Sequence, residues 1–462
     1  MTGNYPDLWK HPYVVPVFKS GDVENIGNYR PISLLPIISK ILEKIVANQL
    51  ISFLETNKLL VNNQHGFRPN LSTETALLTV TNKIYENIEN KKNITSFVAR
   101  FDSVHHQILL DKCTKLSIDT FWFDSYLKDR VQSVRIGTVL SSPTKISFGV
   151  PQGSILGPLL FLIYINDLPQ FIRDCLLVIY ADDTQILLTG DIDKINELMQ
   201  NAKFILTIAK AYFNKNGLLL NESKTQLIFF GSRQYISRIP DNINVKLDDV
   251  TLMPSKNVKN LGVHMDSYMS FDILINEIHK KVTGILLYIN RVSDKLEFEC
   301  RVMVVQSLVL SVLNYCLTVW GSTNKTQMEK AKKIQNFAAR VAFGGVRKYD
   351  HVTPIYEKLK WLRMDMKYIY DICILVFKIC NKSFPEWLFN FPTLGQVRGE
   401  TVNTRRNNTL FTPRTRTDFG ARAINVVGPT IWNQLPIDIR NCQIVSSFKE
   451  YLTKFLLRIN SF

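Results

Sequence analysis

Apolar positions along the chain follow two different periods. From Pro36, the spacing of Ile37, Ile38, Ile41, Leu42, Ile45, Val46 and Leu50 is that of one face of a helix. Residues 71–92 repeat that pattern, and 119–130 place Trp122, Phe123 and Tyr126 on one apolar side. Ser96 to Phe101 is a short β-like run between them. The segment 145–230 is the most strand-rich. Leu176 to Tyr180 and Gln185 to Thr189 flank Ala181-Asp182-Asp183-Thr184, and two apolar runs around a short polar tip predict a β-hairpin. A helix follows over about 191–213, then strand material at Leu218 to Leu220 and Thr225 to Phe230. Strands interrupted by helices predict an α+β sheet with helices on one face. Beyond residue 270 the pattern is helical. Within 324–348, Ile334, Phe337, Ala338 and Val341 mark the apolar face of a basic amphipathic helix. Val302 to Asn324 carries no charge and is long enough to span a bilayer. Its Gln306, Ser307, Ser311, Asn314 and Thr318 suit a buried helix pair better.

Composition narrows the partners. Of 462 residues, 46% are hydrophobic, with 27 Phe and 17 Tyr, which excludes general disorder and provides for two to four packing units. Lys and Arg number 56 against 40 Asp and Glu, a net charge of +16. That excess predicts a polyanionic partner, nucleic acid before anionic membrane. The seven cysteines form no CxxC pair and match no zinc module, so free thiols in a reducing compartment are expected. The N-terminus lacks the apolar region of a secretory signal, so secretion is not expected.

Two segments carry candidate chemistry. Neighbouring strand residues point to opposite faces, so Asp182 and Asp183 converge only if they sit at a turn. Paired carboxylates beside a positive surface suit Mg²⁺, which takes a few carboxylates plus substrate phosphates. Alone, Asp-Asp-Thr reads more readily as a solvated turn. About thirty residues upstream, Phe148-Gly149-Val150-Pro151-Gln152-Gly153-Ser154 has glycines that permit close approach of backbone to a ligand. Alone, it reads equally as a loop before a core helix.

Together with further blocks, these segments resemble the reverse transcriptases of non-LTR retrotransposons, of the jockey type. The blocks are Val15-Pro16-Val17-Phe18-Lys19-Ser20-Gly21-Asp22, Asn28-Tyr29-Arg30-Pro31-Ile32-Ser33, Asn63-Gln64-His65-Gly66-Phe67-Arg68, Gly149 to Ser154, Tyr180-Ala181-Asp182-Asp183, Leu220-Asn221-Glu222-Ser223-Lys224-Thr225 and Leu261-Gly262-Val263. Leu313-Asn314-Tyr315-Cys316 and Trp432-Asn433-Gln434-Leu435-Pro436 extend the likeness over nearly the whole chain. The resemblance implies an α+β right-hand polymerase with an antiparallel palm sheet. Fingers are expected over 1–95, palm over 96–255, primer grip and helical thumb over 256–345, and a family-specific region over 346–462. It implies RNA-directed DNA synthesis with Mg²⁺, or Mn²⁺, on an RNA template and DNA primer, with an RNA–DNA hybrid and deoxynucleoside triphosphates as further partners and no membrane.

By the same resemblance, Asp182 and Asp183 hold the metals, Asp182 more directly. Lys19 and Arg30 grip the triphosphate, Gln152 and Gly153 line the nucleotide and template side, and Lys224 is a candidate general acid near the pyrophosphate. Gly262 belongs to the primer grip. Arg68, Lys332, Lys333 and Arg340 contact nucleic acid. The sequence departs from the family in one place. The family carries a further metal-binding Asp in a stretch of the form Leu-Asp-Leu-Ser-Lys-Ala-Phe-Asp. Here the chain reads Phe97-Val98-Ala99-Arg100-Phe101-Asp102-Ser103-Val104-His105-His106, about six residues shorter. Asp102 matches the second Asp of that stretch and reaches the vacant place only if the strand register shifts. The reading is therefore an impaired polymerase, with a non-catalytic nucleic-acid-binding remnant as the alternative. No endonuclease constellation is seen before the fingers, so the chain is expected to be a truncated piece of a mobile-element frame.

Overall fold

The structure is a computed structural model that describes residues 3–102, 104–220, 225–248, 250–345, 349–385, 387–399 and 409–460; for 93–102, 219–220 and 460 it describes the backbone alone. The chain opens with β1 (Tyr13–Phe18) and β2 (Tyr29–Leu34), an antiparallel hairpin, and the helices α1 (Ile37–Thr56) and α2 (Thr73–Glu89). β3 (Asn93–Asp102), α3 (His106–Lys115), α4 (Phe121–Leu127) and β4 (Val131–Ile136) follow, with the two-residue strands β5 (Val139–Leu140) and β6 (Thr144–Lys145). β4 runs parallel to β1 and extends the first hairpin into its own small sheet. Next come α5 (Gly157–Ile165), α6 (Leu168–Phe171), β7 (Leu176–Tyr180), β8 (Asp183–Gly190), α7 (Ile195–Lys215), β9 (Leu219–Leu220) and β10 (Gln226–Phe230). After α8 (Arg233–Ile236), three hairpin-forming or edge segments, β11 (Val245–Leu247), β12 (Val250–Leu252) and β13 (Pro254–Ser255), lead to the hairpin β14 (Asn257–Asn260) and β15 (Val263–Asp266).

The central sheet has the order β13-β10-β3-β8-β7, with β9 pairing the end of β3. Its apolar runs are continuous because both faces are covered. Leu177, Ile179, Ile186, Leu188, Leu227 and Phe229 join α1, α3, α5 and α7 in one core. The intervening Val178, Leu187, Ile228 and Phe230 join α2 and the elements from β14 onward in another. The sequence expectation of helices on one face is thus corrected: the sheet is the partition between two cores.

The second half is helical, as its periodicity predicts: α9 (Asp272–Arg291), α10 (Phe298–Val305), α11 (Ser311–Asn314), α12 (Leu317–Trp320), α13 (Lys325–Phe343), α14 (Thr353–Leu359), α15 (Met364–Cys380), α16 (Leu394–Arg398), α17 (Ile424–Asn433), α18 (Ile437–Arg440) and α19 (Val445–Asn460). The uncharged run from Val302 to Asn324 is broken by a π-helical turn over 306–310 and by Cys316 in the left-handed region, φ +50°. It buries Val305, Val309, Leu313, Leu317 and Trp320. No described helix is long and apolar enough to cross a membrane.

The two cores cut across the four expected segments. α2, placed with the fingers by sequence, packs with the helices beyond residue 256. The C-terminal region is stitched to it by hydrogen bonds: Glu89 at the end of α2 accepts from the amides of Arg416 and Thr417 at 2.5 and 3.0 Å, and Asn425 donates to Glu86 at 2.8 Å. A chain ending after Gly345 leaves half of that core without its cover. It is expected to lose cooperative thermal unfolding, measured by calorimetry or circular dichroism, whereas a sharp transition would show residues 349–462 to be a separable unit.

Candidate active site

β7 and β8 are joined by the two-residue turn Ala181-Asp182, with Tyr180 opposite Asp183. Asp182 is exposed at the tip and Asp183 is half-buried at the start of β8. Ala181 takes a left-handed conformation, φ +53°, which is unfavourable for a non-glycine residue and needs outside support. Gln64 supplies it. Its Oε1 accepts from the Ala181 amide at 3.1 Å and from the Gly66 amide at 2.7 Å. The segment carrying Gln64 lies beside β7 as a short parallel run: Ile179 N–H donates to Asn63 O, and His65 N–H donates to Ile179 O, both at 2.8 Å. Gly66 has no room for a side chain, since a Cβ would sit 2.6 Å from the Ala181 nitrogen. His65, 1% exposed, is hydrogen-bonded to Thr75 Oγ1 at 3.0 Å in the first turn of α2.

Arg68 differs from its expected place in a nucleic-acid surface. It is 8% exposed, and its guanidinium forks onto Glu55 at 2.8 and 2.7 Å and donates to Val61 O at 2.8 Å. With those donors committed internally, Arg68 ties the Asn63–Arg68 block to α1.

The expected nucleotide-side residues come together through backbone contacts. Lys19 follows β1, its amide donating to Asn28 O at 2.8 Å, and Arg30 lies on β2 opposite Val17; both are exposed. Further along β2, the Ser33 amide donates to Gln152 O at 2.7 Å. Gly153, φ +109°, lies so close that a Cβ would be 3.0 Å from Ser33 O. The other end of this loop is held at Gly149, whose amide donates to Val104 O at 2.6 Å and whose carbonyl accepts from His106 Nε2 at 2.7 Å. Gln152 and Gly153 are exposed between these anchors. Sequence reasoning missed a third anchor. Glu43 of α1 is fully buried, and its Oε2 accepts from the Ile155 and Leu156 amides at 2.7 and 3.3 Å, just where α5 begins. A carboxylate at a helix N-terminus is favoured by both the free N–H groups and the dipole. A mid-helix Glu in an otherwise apolar pattern was the available signal.

The register of β3 governs the remaining acid. Arg100 is the Cα partner of Asp183, and Asp102 lies two residues further on, opposite Leu219. The side chain of Asp102 lies outside the described residues, as does Lys224 altogether. The tip Leu261-Gly262 joins β14 and β15 with both φ values positive, +43° and +84°. It rests on Tyr315, whose hydroxyl donates to Leu261 O at 2.7 Å. On α13, Lys332 is paired with Asp365 and Glu329 at 2.8 and 2.9 Å, Arg340 donates to Asp350 O at 3.0 Å, and Lys333 is exposed. These three residues line a cavity of about 600 Å³ whose walls include no residue of the acid turn or the Gly149–Ser154 loop.

A match to the family described as reverse transcriptase (RNA-dependent DNA polymerase) covers residues 17–265, and the chain belongs to that family. It is similar to a probable RNA-directed DNA polymerase from transposon BS of Drosophila melanogaster, 28% identical over 73% of this chain and 38% of that protein. It is also similar to the RNA-directed DNA polymerase from mobile element jockey of the same fly, 27% identical over 79% and 40%. The chain thus spans about two-fifths of the length of these curated relatives. Among solved structures, apo telomerase from Candida tropicalis gives a TM-score of 0.41 at 11% identity, over 78% of this chain and 63% of that one.

Reverse transcriptases work with divalent metal ions. Two metals in line need carboxylates from more than one strand. Here both tip acids come from one turn, the facing register position is Arg100, and no group of three Asp, Glu, His or Cys close enough to hold a metal occurs among the described residues. The two tip acids fit a single cation carried largely by nucleotide phosphates; the side chain of Asp102, a candidate for a further carboxylate, lies outside the described residues.

Two outcomes test the support of the turn. Gln64→Leu leaves the Ala181 and Gly66 amides without an acceptor and is expected to cost about 1–3 kcal/mol in urea unfolding, whereas Gln64→Glu keeps the acceptor and costs less. Burial, aided by the Arg68 charge, pulls the His65 imidazole down to about 4. Below about pH 6.5 the unfolded chain gains a proton that the folded chain refuses, so stability falls with pH down to about 4, by about 3 kcal/mol for this group. His106 and His264 are shifted down as well, chiefly by burial. The difference in pH slope between the parent chain and His65→Gln isolates the His65 share.

Proposed function

We propose that the chain is the polymerase module of a jockey-like mobile element, built for attack of a primer 3′-hydroxyl on the α-phosphate of a deoxynucleoside triphosphate, templated by RNA and releasing pyrophosphate. The carrying observation is the unbroken set of backbone contacts that joins the hairpin bearing Lys19 and Arg30 to the Gln152-Gly153 loop and that loop to the residues just after β3. In this reading, Arg30 binds phosphate through its fork and Lys19 as a point charge. Gln152 and Gly153 face the base pair being formed. Asp182 and Asp183 hold the cation, Gly262 meets the primer, and Lys224 is a candidate acid for the leaving pyrophosphate. Lys333, with Lys332 and Arg340, meets the phosphate backbone of the hybrid. A divalent cation supplies charge neutralisation at the reacting phosphate.

The same reading makes this copy impaired. The register pairing of Arg100 with Asp183 supports it, because an acid opposite the tip is what the two-metal reaction needs. Primer extension on an RNA template is expected to be slow or absent in the parent chain. Arg100→Asp is expected to raise it by about a hundredfold or more, the scale of one well-placed electrostatic group. Robust synthesis by the parent that is lost in Asp182→Asn would overturn the impairment.

The second reading, a nucleic-acid-binding protein without catalysis, is favoured by the same Arg100 and by the net charge of +16. It predicts hybrid binding whose logarithmic affinity falls linearly with the logarithm of salt, by about 0.7–0.9 per phosphate contact. Affinity that does not respond to salt would remove it.

A further inference from the structure

Two hairpin tips matter to the polymerase reading, and a buried pair of amides ties them together. β8 begins with Asp183, and Gln185 follows two residues later on the same face of the strand. β14 ends at Asn260, immediately before the Leu261-Gly262 tip. The two strands belong to separate sheets. Gln185 and Asn260 are 0% and 3% exposed. Gln185 Nε2 donates to Asn260 Oδ1 at 2.7 Å, and Asn260 Nδ2 donates to Gln185 Oε1 at 2.7 Å. Within the pair each amide donates one N–H to the other and accepts one from it, and Asn260 Nδ2 also lies 3.9 Å from Met265 Sδ.

We propose that the Gln185–Asn260 pair is the spacer that fixes the acid turn relative to the primer-side tip and so sets where a primer 3′ end stops; this rests on the polymerase reading of those tips. Both are positioning residues. An apolar contact at this place would fill the same space and tolerate sliding. The amide pair does not tolerate it, because moving β14 by one residue brings Lys259 or Leu261 opposite Gln185 and leaves a buried amide without its partner. From the other side, the tip is held by the Tyr315 hydroxyl, so the pair is one half of a two-point mount.

The test uses the full chain and fluorescence-detected binding of two RNA–DNA hybrids of equal length, one with a recessed primer 3′ end and one blunt. The parent is expected to prefer the recessed end. Gln185→Asn shortens one arm of the pair and keeps both groups polar. It is expected to reduce the preference about fivefold, within the usual range for a coupled pair, and adding Asn260→Gln is expected to restore it. The double replacement Gln185→Leu with Asn260→Leu removes both partners together, which spares the fold an orphaned amide. It is expected to lose the preference with little change in melting temperature. A preference unchanged in both Gln185→Asn and the double Leu chain overturns the spacer. Absence of any preference in the parent overturns the polymerase reading and the spacer with it.

Discussion

The structure depends on one strand that has neighbours on both sides. β3 lies between β10 and β8 and pairs with β9 at its end, in a sheet covered on both faces. Buried backbone groups must be hydrogen-bonded, so such a strand has no freedom to slip by half measures. A shorter chain at this point moves every later residue by whole register steps. Whichever residue then stands opposite Asp183 is set by the ladder, and here it is Arg100. Asp102 would have to advance by two places to take that position, breaking its pairing with Leu219 and every pairing before it.

Much of the architecture was legible because it follows from periodicity. The acid hairpin, the long helices α1, α2, α7 and α9, and the basic helix α13 are where the apolar spacing puts them. What was not legible depends on pairings far apart in sequence. A continuous apolar strand cannot show whether one or both of its faces are covered until the covering elements are known. For this sheet they come from both ends of the chain. The union of α2 with residues 416–425 rests on Glu89 and Glu86, which from sequence are ordinary charges on a helix end.

The site divides in the same way. Tip acids, glycines with positive φ and the fingers hairpin announce themselves by local chemistry. The residues that hold them do not. Gln64, Glu43, Gln185 and Asn260 are buried polar side chains with partners 75 to 117 positions away, and no local pattern distinguishes them from solvated ones. Arg68 shows the reverse error. An arginine in a glycine-bearing loop invites a phosphate, yet its fork is matched to Glu55 thirteen residues earlier. Burial decides between the two readings, because an arginine closed off from water and already bidentate has little left to offer a ligand.

This division has a consequence for function. Attraction to a polyanion sums over many charges and tolerates displacement of any one of them. Nucleotidyl transfer depends on a few groups held in place to a fraction of an ångström. The exposed cations Lys19, Arg30 and Lys333 belong to the first hairpin and to α13, whereas the Gln152-Gly153 loop is docked just past the far end of β3 through the Gly149 amide and Val104 O. A change confined to that end therefore bears on the acid turn and on that loop together, and leaves the exposed cations in place. A loss of positional precision at that end would thus weaken nucleotidyl transfer before it weakens attraction to a polyanion.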